Sequence, residues 1–201
     1  MIEGEIAHFD AQGALLSNFV DDLAGADLSQ PEQKHFFLAE AVLFRLFRIY
    51  ERLTRAAFLH HCVVDHTPAG NPVRSKLKCE DENIAEDILK AGNKFLDWGN
   101  INSTQRLAGF VFENGYPIRD FLSPIHSDLV DLQRFRNFVS HDSREAEEGF
   151  KKSRSSYLRV GTNVPSTVGE LALYRKNARS DIVLRLLHQK VVTLSGILRA
   201  V

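Results

Sequence analysis

Cysteine is scarce in this chain, and the little there is forms no pattern. Cys62 and Cys79 are the only two. They make neither a CxxC pair nor a zinc-ligand spacing, which argues against a disulfide framework or a metal knuckle and suits a reducing compartment. Long apolar runs are missing: none approaches the roughly 20 residues needed to cross a bilayer. No GxGxxG or Walker pattern occurs, so ATP hydrolysis and dinucleotide binding are not expected, and no HExxH helix is present. No segment alternates apolar and polar residues as strands do. Charge of one sign is also lacking, with 25 Lys+Arg against 26 Asp+Glu and a pI near 6.7. A dedicated nucleic-acid coat is far more basic, so any contact with nucleic acid has to use a local patch. The opening residues Met1-Ile2-Glu3-Gly4-Glu5 are acidic and lack a charged-then-apolar leader pattern. The expectation is a soluble, cytoplasmic protein without membrane contact.

What remains is ordinary globular composition, 44% apolar and 25% charged over 201 residues, enough to bury a core without staples. We expect a single domain over 1–201: an N-terminal helix within 1–28, a core over 29–160, and a loop with a C-terminal helix over 161–201. The pattern is helix after helix. The first is expected over Ile6–Leu23. Ser29-Gln30-Pro31-Glu32 opens a long second helix to Val63, with Ser29 as cap and Pro31 in the first turn. Its buried face is expected at Leu38, Val42, Leu46, Ile49, Leu53 and Ala56. Pro68, Gly70, Asn71 and Pro72 mark a loop over Asp65–Ser75. Further helices are expected over Glu80–Trp98, from Asn102-Ser103-Thr104-Gln105 to Glu113, from Ser123-Pro124 to the 136–141 stretch, from Asp142 to Leu158, and over Asn177–Ala200. Gly161–Gly169 reads as a loop. The fold class is therefore all-α, a bundle of five to seven helices.

One hexapeptide concentrates the chemistry: Arg136-Asn137-Phe138-Val139-Ser140-His141. Phosphodiester chemistry needs a fixed cation and a group that moves protons near neutral pH, and Arg and His supply these. With Ile125 at zero and about 100° per residue, Leu129, Leu132, Phe135 and Val139 share an apolar face and Arg136 falls near its middle. An arginine there is costly unless paired or placed at an interface. Asn137 and His141, four residues apart, share a second face. His141 lies at the junction of two helices, where the preceding helix C-terminus favours positive charge.

The hexapeptide resembles the R-x4-6-H signature of the HEPN superfamily (higher eukaryotes and prokaryotes nucleotide-binding domains), with Asn137 as the polar residue after the arginine. The helix before it, the helical restart after it and the long second helix are similar to that family over residues 30–200. The resemblance implies a homodimeric, metal-independent endoribonuclease needing no cofactor, with RNA as substrate and the two motifs meeting in one composite site. In that reading Arg136 binds the scissile phosphate, Asn137 helps position it, His141 transfers protons, and the RNA 2'-hydroxyl attacks. A toxin paired with an antitoxin protein, or a phage-defence nuclease, is the implied setting. Where some members carry a tyrosine after the histidine, this chain has Asp142-Ser143, so control by nucleotide modification is not expected. The family also holds catalytically silent members, and the alternative is a non-catalytic helical module that binds a nucleotide or a partner protein.

Four arginines, Arg45, Arg48, Arg52 and Arg55, recur at three- and four-residue spacing on the second helix. They suggest a stripe for phosphates, with Arg45, Arg48, Arg52 and the motif-adjacent Arg144 as substrate-binding candidates. The bland alternative is a solvated face with Glu51 nearby. Arg144, Lys151, Lys152, Arg154 and Arg159 are diluted by Glu145, Glu147 and Glu148, which suits intrahelical ion pairs. His60-His61-Cys62 with His66 is not expected to hold metal, because adjacent histidines on a helix diverge. Trp98 and the fourteen phenylalanines are expected to be core, not platforms for bases.

Overall fold

The computed structural model describes residues 2–159 and 163–201, so the expected loop at Gly161 and Thr162 lies partly outside the described residues. Among the described residues there is no β-strand, only three isolated bridges. The α-helices are α1 (Ile2–Gly25), α2 (Gln33–Val63), α3 (Glu82–Lys90), α4 (Ile101–Val111), α5 (Ile118–Leu122), α6 (His126–Ser140), α7 (Arg144–Tyr157), α8 (Val168–Ala172), α9 (Val183–Val191) and α10 (Leu194–Ala200). The all-helical class is as expected. The number exceeds five to seven because short helices occupy stretches whose periodicity is too brief to register, such as the five residues of α5 and of α8.

Several boundaries differ, each for a local reason. The Ser29 side chain does not cap α2; its amide instead donates to Asp27 Oδ1, while the Glu32 amide donates to His35 Nδ1. The expected helix to Trp98 stops at Lys90, because Ala91 turns left-handed at φ 47° and Gly92 follows at φ 84°. Asn100, ahead of the expected capping box, accepts from the Ser103 amide and starts α4. The expected last helix splits into α9 and α10 across Val192 and Thr193, in a β-branched run of the kind that disfavours helix. Thr167 and Glu170 form a reciprocal capping box and open α8 at the end of the expected loop.

The packing divides into two compact units. The first comprises residues 2–10, 49–126 and 192–201. Its core contains Tyr50, Phe58, Trp98, Phe112 and Phe121, with Phe58 about one ring-width from both neighbours at 5.1 Å. Here α10 packs on α5. The second comprises the described residues of 11–48 and 127–191. It buries Phe47, Leu129, Leu132, Phe135, Phe150 and Leu184. Within it α8 approaches α2 so closely that a Cβ on Gly169 would lie 2.6 Å from the Phe36 carbonyl oxygen, and the Gly169 amide donates to Glu40 Oε1 at 2.9 Å. Fully burying each large aromatic ring contributes about 1.5–3 kcal/mol. Among the described residues no helix is long and apolar enough to cross a membrane.

Candidate functional site

The hexapeptide sits where α6 ends, and the end is fixed from both sides. The His141 amide donates to the Asn137 carbonyl at 2.9 Å, closing the last turn. Two residues on, Ser143 accepts from the Ala146 amide and starts α7. Ser143 rather than Asp142 is the cap, so the expected restart occurs one position later. The two helices are clamped together. Phe138 stacks on Phe150 at 4.4 Å and 8° between planes, and Phe135 meets Phe150 edge-on.

A polar network backs this aromatic contact. Arg134 Nη1 donates to Ser153 Oγ, Ser153 donates to Asp131 Oδ1 at 2.5 Å, and Tyr157 Oη donates to Asp131 Oδ2 at 3.0 Å. Burial and the Asp131 carboxylate hold the Tyr157 phenol well above its ordinary range. The motif thus stands on a rigid seat, as a constellation that must keep its geometry requires. Sequence reasoning missed this seat, because its four residues are separated by the α6–α7 turn and only the turn's closure makes them neighbours.

On that seat the three motif residues part ways. Arg136 lies with its guanidinium carbon 5.2 Å from the centre of the Phe47 ring on α2, within reach of a cation–π attraction. Its Nη1 donates to Asn137 Oδ1 at 3.0 Å, while its Nε is buried without a hydrogen-bond partner. Among the described residues no carboxylate pairs with it. Asn137 and His141 both line a small cleft of about 150 Å³ with Arg134 and Ser143. That agrees with the shared face expected from their spacing. His141 is exposed and also lines a wider, shallow depression with Val139, Arg144 and Glu147. Arg136 lines neither recess. Val139, expected on the buried face, is 43% exposed, because the last turn of α6 runs past the packed core.

The arginine stripe divides. Arg52 makes a two-pronged contact with Glu5 at 2.7 and 2.9 Å, and Arg55 does the same with Glu86. These pairs hold the Glu5 and Glu86 carboxyls below their usual range. Among the described residues Arg45 makes a single, long contact, 3.4 Å, to Gln12 Oε1. With Arg48 it lines a groove on α2. Arg144 donates to Glu148 and Lys151 pairs with Glu147, the intrahelical pairing expected of this second basic group.

Two assignments from sequence change. Phe37 is 61% and Phe44 37% exposed, so these phenylalanines are not core. Leu38, expected in the buried face of α2, is also exposed. The true buried rows run through Ala39, Val42, Leu43, Leu46, Phe47 and Tyr50; Ala41 and Phe44 fall one position off them, and Phe37 lies two positions before Ala39. At the other end of α2, His61 is wholly buried with neither ring nitrogen hydrogen-bonded. Desolvation lowers its pKa to about 4. His60 is 3.8 Å from Glu82 and His66 is 3.1 Å from Asp65. Among the described residues no three His, Cys, Asp or Glu groups are arranged to hold a metal ion. No protein-family model matches the chain, and neither a curated protein nor a solved structure matches it.

Proposed function

We propose that the protein is a metal-independent endoribonuclease of the HEPN kind, working as a homodimer on cytoplasmic RNA, with Arg136, Asn137 and His141 as its catalytic residues. The observation that carries this reading is that, among the described residues, no carboxylate pairs with the motif. A guanidinium, a carboxamide and an open imidazole gather at one packed helix end.

The chemistry asks for little more. The 2'-hydroxyl attacks the adjacent phosphorus as His141 accepts its proton. A P–O bond forms to the 2'-oxygen and the bond to the 5'-oxygen breaks. The leaving oxygen takes a proton from the partner copy's imidazolium, giving a 2',3'-cyclic phosphate and a 5'-hydroxyl end. General acid–base help of this kind contributes about 10²–10⁴-fold. Arg136 stabilises charge on the phosphoryl oxygens. Because Arg136 already occupies Asn137 Oδ1, the Asn137 amide nitrogen is left to donate to phosphate. Arg136 lines neither of the two recesses that His141 lines, which favours a composite site built from two copies. A toxin restrained by an antitoxin protein, or a phage-defence nuclease, is the biological setting this chemistry suits.

A second reading is a non-catalytic helical module binding a nucleotide or a partner protein. It is favoured by one observation, the seating of Arg136 against Phe47, which a purely structural arginine also satisfies. RNA cleavage in EDTA separates the two. Wild type is expected to cut, leaving cyclic phosphate ends, and Arg136→Ala and His141→Ala are each expected to lose at least about 10²-fold. Folded, dimeric variants beside an inactive wild type would favour the module.

A further inference from the structure

The groove beside the motif combines features that no single simple ligand class needs. It is lined by Phe37, Phe44, Arg45 and Arg48 from α2 and by Val139 from the hexapeptide itself, and encloses about 520 Å³. That lies within the roughly 300–1,000 Å³ of sites for small organic groups. Its rings are open to solvent, Phe37 at 61% and Phe44 at 37%. The groove also adjoins the site: Phe44 precedes Phe47 by one helical turn, and Phe47 is the ring on which Arg136 rests.

An anion alone makes no use of two exposed aromatic rings. An apolar protein face makes no use of the Arg45 guanidinium. A nucleotide uses both, its base against a ring and its phosphate on the cation. Base–aromatic stacking together with a basic backbone track is the recurring physics of single-strand recognition. The one carboxylate in the groove, Glu40, turns an oxygen to the Gly169 amide at 2.9 Å, which draws its charge away from an incoming phosphate. The contact from Arg45 to Gln12 is long, at 3.4 Å, and easily exchanged for a phosphate oxygen.

We infer that this groove is a substrate subsite that takes an unpaired nucleotide next to the scissile bond, stacking its base on Phe37 and Phe44 and setting its phosphate against Arg45. The inference rests on the ribonuclease reading for its substrate. It adds that the substrate is single-stranded at this position, since bases in an A-form duplex are stacked on each other and closed to side chains.

The test uses the full chain carrying His141→Ala, so that RNA is bound and not consumed. The probes are fluorescein-labelled oligoadenosine decamer, the same strand in a duplex, and an abasic ribose-phosphate decamer of equal charge. The single strand is expected to bind about tenfold or more tighter than the other two. Adding Phe37→Ala and Phe44→Ala should bring it down to the abasic level without changing abasic binding, and melting curves should stay in place because both rings are exposed. Equal affinity for the single-stranded and abasic probes overturns the subsite, as does unchanged binding after removal of both rings. So does loss of the dimer in the phenylalanine variants by sedimentation, which would make the groove a contact between copies. Cleavage by wild type, run in parallel, keeps the two ideas apart. Cutting without a phenylalanine effect removes only the subsite. Ring-dependent binding without cutting removes only the catalytic reading. Neither binding nor cutting removes both.

Discussion

The two halves of α2 carry the same arginine rhythm and have opposite fates. Residues 33–48 present Phe37, Phe44, Arg45 and Arg48 around an open groove. Residues 49–63 spend Arg52 on Glu5 and Arg55 on Glu86, then end in the sealed His61 and Cys62. Helical spacing alone treats the four arginines as one stripe. What separates Arg45 from Arg52 and Arg55 is the supply of carboxylates from residues far away in sequence. A cation with a two-pronged acid partner has its donors filled and its field largely cancelled. Arg45, whose contact is the neutral Gln12 at 3.4 Å, remains able to meet phosphate.

Phe47→Ala in the first half and Phe58→Ala in the second should each destabilise by about 3–5 kcal/mol in urea unfolding, since both rings are fully buried. If Phe47→Ala were nearly neutral, the seat under Arg136 would not be the packed core described above.

Next comes acid. His61 has a pKa of about 4 in the fold against about 6.5 in an unfolded chain. The unfolded state therefore takes up a proton first as pH falls. Stability contributed by the neutral ring is full above pH 6.5 and is lost on descending to about pH 4, by about 3 kcal/mol in all. His61→Leu should flatten that part of the decline. It should cost little at pH 7, because the imidazole makes no hydrogen bond there. Identical acid curves for the two proteins would refute the assignment.

The smallest effect is the most discriminating. Arg45→Ala should weaken RNA binding and lower the salt slope by about one. Arg52→Ala and Arg55→Ala should leave binding and slope alone and change stability by no more than about 1 kcal/mol. Equal slopes for the Arg45, Arg52 and Arg55 variants would restore the single stripe.

Much of the helical order was readable locally. The start of α7 near Ser143 follows from a cap, and the shared face of Asn137 and His141 follows from their four-residue spacing. The ends were less legible. Glu80–Trp98 looked continuous because Ala91 carries no mark of its left-handed turn, although Gly92-Asn93 does. Leu38 and Val139 were assigned to buried faces by period, and period cannot say how far along a helix its neighbour extends. The exposure of Phe37 and Phe44 was half visible, as an offset from the buried rows. The Arg134, Ser153, Asp131 and Tyr157 network was invisible, since its contacts exist only once α7 folds back on α6.

By itself the sequence determined an all-helical chain with an arginine, a carboxamide and a histidine at one helix end, because periodicity and capping act over three or four residues. Only the tertiary structure decided which arginines are neutralised, which rings face solvent and which histidine is sealed. Those outcomes depend on partners such as Glu5 for Arg52, 47 residues apart, and Glu86 for Arg55, 31 residues apart, and at such separations a partner is chosen by packing and not by spacing.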